Sequence, residues 1–287
     1  MNNESKNTIK ALKLSILLNG DYQLKKDENK RPPLGRYNAS LGKTLNYLKK
    51  VIENNNLIHD TKIYLSNQPN YDGLIDALIN FMHSYMAHVE TLCGIVVDFY
   101  GDDKKIAKIK REINKLDSRI YLATIINYIK HSDGSLRTAS ITGVNNDFVM
   151  GFYVEGYSDN AIGPSREVHK HGDDVISINY FIRKVIADIF IVDNFISSNL
   201  EQFITTKEEI NIDDELFKIL TKANELPLKF FDMEFKRKNL LFFMKKGEVK
   251  LEHLKFKREM IISGRMSVNF VGDGVTKTFK LPLGAAN

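Results

Sequence analysis

Cysteine is almost missing: Cys93 is the single one in 287 residues, which excludes a disulfide framework and a zinc site built on paired thiolates. Glycine and proline are sparse as well, 17 and 6 residues, so collagen-like and Pro/Gly-rich low-complexity classes are ruled out. No apolar run reaches the roughly 18 residues of a membrane-spanning helix, and no membrane partner is expected. The N-terminus carries an acid, Glu4, and an interrupted apolar pattern, unlike a secretory leader. What is present is a 43% apolar complement, enough to bury a core. The expectation is a globular protein of a reducing, cytoplasmic compartment, with one large domain or two ordinary ones.

The net charge of +5 is unevenly placed. Residues 1–212 hold 26 basic and 26 acidic side chains, so the whole excess falls in residues 213–287, with 15 basic and 10 acidic. Lys236, Arg237 and Lys238, then Lys245 and Lys246, then Lys255, Lys257 and Arg258 alternate there with apolar residues. Such a surface can meet phosphate backbones and release their counterions. The plainer alternative is a solvated sheet face whose lysines guard its edges. Elsewhere the summed charge gives no sign of a polyanionic partner.

Hydrophobic spacing predicts helices over 7–18, 39–56 (Leu41, Leu45, Leu48, Ile52), about 71–100 (Leu74, Leu78, Phe81, Tyr85, Val89, Leu92, Val96) and about 103–131. The last is read as one continuous helix with Ile106, Ile109, Ile113, Leu116, Ile120 and Ala123 inside. Residues 21–40, with Pro32 and Pro33, are read as a loop, and Asn54–Asn56 as a helix stop. A strand-rich insert is expected at 139–165, a buried helix from about 173 to 203, and a charged helix over 207–223. Residues 226–283 alternate in short runs, at 229–235, 249–256, 266–270 and 276–281, with a hairpin signal at Gly272–Gly274. The expected fold is mainly α: an antiparallel helical bundle over 39–206 with a small β insert, after an N-terminal helix and loop (1–38). A linking helix and a small antiparallel β module follow (207–287), α+β overall.

One constellation carries chemistry. Asn127, Lys130 and His131 stand at i, i+3 and i+4 in the last turn of a helix, where the negative end of the helix dipole favours cations. Histidine can take a proton from a ribose hydroxyl or return one to a leaving oxygen. An ammonium can hold a phosphate, and asparagine can orient the imidazole. The reaction would be metal-free phosphodiester cleavage. The plainer alternative is a helix end whose basic residues bond the last carbonyls.

The segment Ile125–Gly134, closing a long helix, resembles the end of the third helix of HEPN domains, a family of four- or five-helix bundles. Many members carry an arginine, a polar residue and a histidine there and act as metal-independent endoribonucleases, usually across a dimer. Asn127 matches the polar position and His131 the histidine, while Ile126 stands where the family has arginine. The resemblance covers roughly residues 40–205. It implies an RNA-directed protein of bacterial defence or toxin systems, cofactor-free, with RNA, a protein antitoxin or a second copy as partners. His131 would be the acid/base and Asn127 the orienting group. Lys130, or one of Arg119, Arg137 and Arg166, would replace the missing phosphate-binding arginine. Two alternatives stay open: a non-catalytic HEPN-like module binding protein or nucleic acid, and a structural component of a phage or larger assembly.

The remaining candidates are weaker. His169 and His171 can line the mouth of such a site, but lack a third metal ligand. His83 and His88 are five apart, not the spacing of a zinc-binding helix, and are read as core or surface histidines. A buried pairing of His83 with Glu90 is conceivable. Cys93 is read as packing.

Overall fold

A computed structural model describes residues 12–26, 30–59, 71–101, 103–132, 134–142, 148–158, 161–169, 175–205, 214–231, 234, 237–253, 262–269 and 276–285. Apolar residues at steps of three and four build its helices and decide which sides meet. These are α1 (Lys13–Leu18), α2 (Pro33–His59), α3 (Tyr71–Tyr100), α4 (Lys105–Asn114), α5 (Asp117–His131), α6 (Ile178–Leu200) and α7 (Asp214–Glu225). With small antiparallel sheets attached, the fold is mainly α.

Polar contacts between helices fix their directions. Arg36 of α2 pairs with Asp98 of α3, Ser40 with His88, and the Thr44 hydroxyl donates to the Ser84 carbonyl, so α2 and α3 run antiparallel. Tyr37 donates to Asp193 and Asn55 to Asn179, which sets α6 antiparallel to α2. Phe81 meets Phe181 edge-on at one end, and the Tyr100 hydroxyl donates to the Asn199 carbonyl at the other, so α3 and α6 are parallel. Helix α6 is buried on nearly every side. Its Arg183, 1% exposed, donates to the carbonyls of Asn224 and Leu226, at the end of α7, and to that of Phe242. Its charge therefore sits against the negative end of the α7 dipole.

The insert is an antiparallel sheet with β3 (Phe148–Ser158) at its centre. It pairs with β2 (Leu136–Thr142), β4 (Ala161–Pro164) and β5 (Ile176–Ser177). Phe152 turns one face of it onto Phe181 of the bundle. Short strands β1 (Asp21–Tyr22) and β6 (Ile204–Thr205) pair with each other. In the C-terminal part, β7 (Lys229–Phe231) pairs with β11 (Thr276–Ala285), which pairs with β10 (Ile262–Asn269); β8 (Leu240–Lys245) and β9 (Glu248–His253) form a hairpin. The 8–9 hairpin turns at Lys246 and Gly247, with φ of 53° and 77°, the pair of positive values of a type I′ turn.

Several expected boundaries are corrected. The helix read over 103–131 is two, broken at Leu116, whose backbone is extended with ψ 125°. The break shifts the helical phase, so Ile120, expected inside, is 54% exposed. Pro33 opens α2 rather than lying in a loop, because a proline in the first helical turn needs no N–H partner there. The Asn54–Asn56 run does not stop that helix, and Asn55 is buried on Asn179. The buried helix begins at Ile178, after the short strand β5. Strand β8 was not expected at all. Residues 7–11 of the first expected helix, 207–213 of the linking helix and the Gly272–Gly274 turn lie outside the described residues, although the two strands flanking that turn do pair.

Candidate functional site

The end of α5 is positioned from two directions. Helix α5 lies antiparallel to α3: Arg119 and Cys93 interact at one end, Lys130 and His83 at the other. At its last turn, Tyr128 is held by two glycines. A Cβ on Gly134 would lie 2.4 Å from the Tyr128 ring, and one on Gly156 would lie 2.7 Å from its hydroxyl. The absence of those side chains lets the helix end seat on β3 and turn directly into β2. Ile125 and Ile126 are buried on this side, so the opposite side of the turn faces solvent.

Asn127, Lys130 and His131 are all exposed on that turn. Ile126 is 8% exposed, and its apolar side chain offers no group to a phosphate. On the facing helix, burial first and the Lys130 charge second lower the pKa of His83. That places a second imidazole within the field of the Lys130 ammonium.

The candidate arginines divide. Arg137 of β2 donates two hydrogen bonds to Glu155, at 3.1 and 3.2 Å. Arg166 is exposed, and follows Ser165, which lies against Gly156 beside the Tyr128 hydroxyl. The backbone thus brings Arg166 to the same end of the molecule as His131. Arg119 stands at the other end of α5, bonded to Asn114, about 12 Å of helix away from Asn127.

His169 is a correction to the sequence reading. It is buried, and its Nε2 accepts the Val154 N–H at 3.0 Å, so it braces β3 instead of lining an opening. His171 and Lys236 lie outside the described residues. Arg237 is half-buried with its guanidinium over the Tyr180 ring, while Lys238 is exposed. His88 is buried on Ser40, and burial lowers its pKa to about 4. Glu90 is exposed, so the conceivable buried pairing with His83 does not form. Cys93 is half-buried, and burial raises its thiol pKa.

Among the described residues no group of His, Cys, Asp and Glu could hold a metal ion, and no helix is long and apolar enough to cross a membrane. The charge count over residues 1–212 concealed one feature. Residues 104–119 hold seven basic and two acidic side chains, a local excess that spacing along the helix could have exposed. Comparison with family models, with curated proteins and with solved structures gives no match.

Proposed function

We propose that this protein is an RNA-directed factor of the bacterial defence or toxin type, whose α5 end is a metal-independent endoribonuclease site. One observation carries the reading: Asn127, Lys130 and His131 are exposed together on a helix end whose other side is sealed. In this reading His131 takes the proton of a ribose 2′-hydroxyl, whose oxygen attacks the adjacent phosphorus. The bond to the 5′-oxygen breaks, and that oxygen receives a proton from the imidazolium. The products are a 2′,3′-cyclic phosphate and a 5′-hydroxyl. Lys130 holds the phosphate and stabilises charge on it, and Asn127 orients the ring. A second copy of the chain or a protein antitoxin completes the system in this reading.

The test is incubation of purified protein with total RNA in the presence of a chelator. Cleavage is expected, and it should vanish in His131→Ala while circular dichroism and melting temperature stay unchanged. Equal cleavage by the variant would remove His131 from the chemistry.

The non-catalytic alternative has its own support in the burial of Ile126 and the commitment of Arg137 to Glu155. RNA binding with no cleavage in either protein would favour it.

A further inference from the structure

Helix α4 is built as two opposed stripes. Its residues Ile106, Ile109 and Ile113 recur on one side, and Ile109 and Ile113 are buried against the bundle. Lys104, Lys108, Arg111 and Lys115 follow at i, i+4, i+7 and i+11, which places them within about 60° of one another around the axis, opposite the isoleucines. Lys104 and Lys115, the flanking residues, both keep right-handed helical backbone, so the stripe is unbroken. All four are exposed. Lys105 is exposed beside the stripe.

This arrangement is unfavourable for the helix alone. Asp103 caps the start, its carboxylate accepting the Lys105 N–H at 2.7 Å, but the first turn itself holds no acid, and Lys104 and Lys105 sit at the positive end of the helix dipole, where cations are disfavoured. Lys104 faces Lys108, and Arg111 faces Lys115, as like-charge neighbours four apart. Within the helix, Glu112 pairs with Lys115 at 2.8 Å. Its pKa is lowered first by that hydrogen bond and charge, with Lys108 and Arg111 adding to the effect. Local rules broken without a gain in packing point to a surface kept for a ligand.

We propose that this stripe is a docking strip for the phosphate backbone of RNA. The inference takes the identity of the polyanion from the reading of the α5 end, but it does not need the chemistry there. A basic amphipathic helix can also lie on a lipid surface, but that mode inserts the apolar side. In α4 that side is already packed on the bundle, which leaves only the charged side available. The strip is about 16 Å long, so its four cations can meet a short run of successive phosphates on one strand. Lysine and arginine without aromatic neighbours along the stripe fit backbone contact that reads no sequence.

The test is fluorescence anisotropy with a labelled single-stranded RNA, over a salt series, using the full chain and the variant Lys104→Gln/Lys108→Gln/Arg111→Gln. These side chains are exposed, and an unchanged circular dichroism spectrum checks the helix. Affinity at physiological salt should fall about tenfold or more, and the slope of log affinity against log salt should flatten by about 2. Loss of affinity in the triple variant together with retained cleavage by His131→Ala supports the strip and removes only the proposed chemistry. Unchanged affinity and slope in the triple variant overturn the strip, whatever the cleavage result. Failure of the wild type to bind RNA, with binding of poly-glutamate lost in the variant, also overturns it and assigns the stripe to an acidic protein.

Discussion

Glu234 accepts both the backbone N–H of Ser177, at 2.7 Å, and its hydroxyl, at 2.5 Å, where Ser177 is the residue that opens the central helix α6. The same carboxyl accepts the Phe231 N–H at the end of β7. One buried side chain therefore joins the start of the bundle's most buried helix to a strand of the C-terminal part.

Burial raises the Glu234 pKa to about 8, against the opposing pull of these hydrogen bonds and of Arg237. A carboxyl with a raised folded-state pKa binds a proton that the unfolded chain has already lost, so stability falls as pH rises from 4.5 towards 8. At about 1.4 kcal/mol per pH unit the full effect is on the order of 4–5 kcal/mol. Glu234→Gln cannot ionise and retains one acceptor. Its stability relative to wild type should increase steadily across that window and level off above pH 8, as read from urea unfolding at a series of pH values.

His88 acts in the opposite sense. Its neutral ring is buried on Ser40, and its folded pKa is lowered to about 4. The stabilisation is complete above pH 6.5 and is lost as pH falls through 4, about 3 kcal/mol in all. Asp193, raised to about 6 by burial, works against this on the acid side, so the comparison should be made as a difference. His88→Leu should be less stable than wild type at pH 7 and should recover about 3 kcal/mol of that deficit by pH 4.

Arg183 is expected to be the costliest single site. Its guanidinium satisfies three carbonyls, two of them at the C-terminal end of α7, and it lies over the Phe243 ring. Arg183→Met leaves those carbonyls buried without donors, a loss of about 4 kcal/mol. Arg183→Lys should rescue little, because one ammonium cannot span the fork geometry. Equilibrium unfolding gives the size of the loss. Limited proteolysis should show the 240–253 hairpin becoming the first site of cleavage.

Gly134→Ala tests the seating of the candidate site. The added methyl would meet the Tyr128 ring at 2.4 Å, which should cost about 1–3 kcal/mol. In a Tyr128→Ala background the same change should cost much less, so a double-mutant cycle reads the contact directly.

The long helices were legible because their stripes are long and in phase: Leu74 to Val96 of α3 is buried as the spacing requires. The break at Leu116 was not, since Ile113, Leu116 and Ile120 continue the pattern in sequence while the backbone turns between them. The Asn54–Asn56 run misled because a polar run normally ends a helix, and nothing local announces that Asn55 has Asn179 as a partner 124 residues away. Strand β8 was hidden by its turn, a Lys-Gly pair in place of the usual Asn-Gly. Of the candidate site, the grouping of Asn127, Lys130 and His131 follows from helical spacing alone. The burial of His169 and the engagement of Arg137 depend on the pairing of β2 with β3, which no short-range pattern specifies.

Asp193 accepts the Tyr37 hydroxyl at 2.6 Å and the Leu14 N–H at 3.0 Å, from segments 156 and 179 residues distant. Peeling α1 away would strand part of a carboxyl in a dry interior, a penalty that falls on α2 and α6 as well. The first described helix is thus no loose appendage. Its amides should exchange with solvent only when the centre of the bundle opens, and the two ends of this long chain segment melt as one cooperative unit.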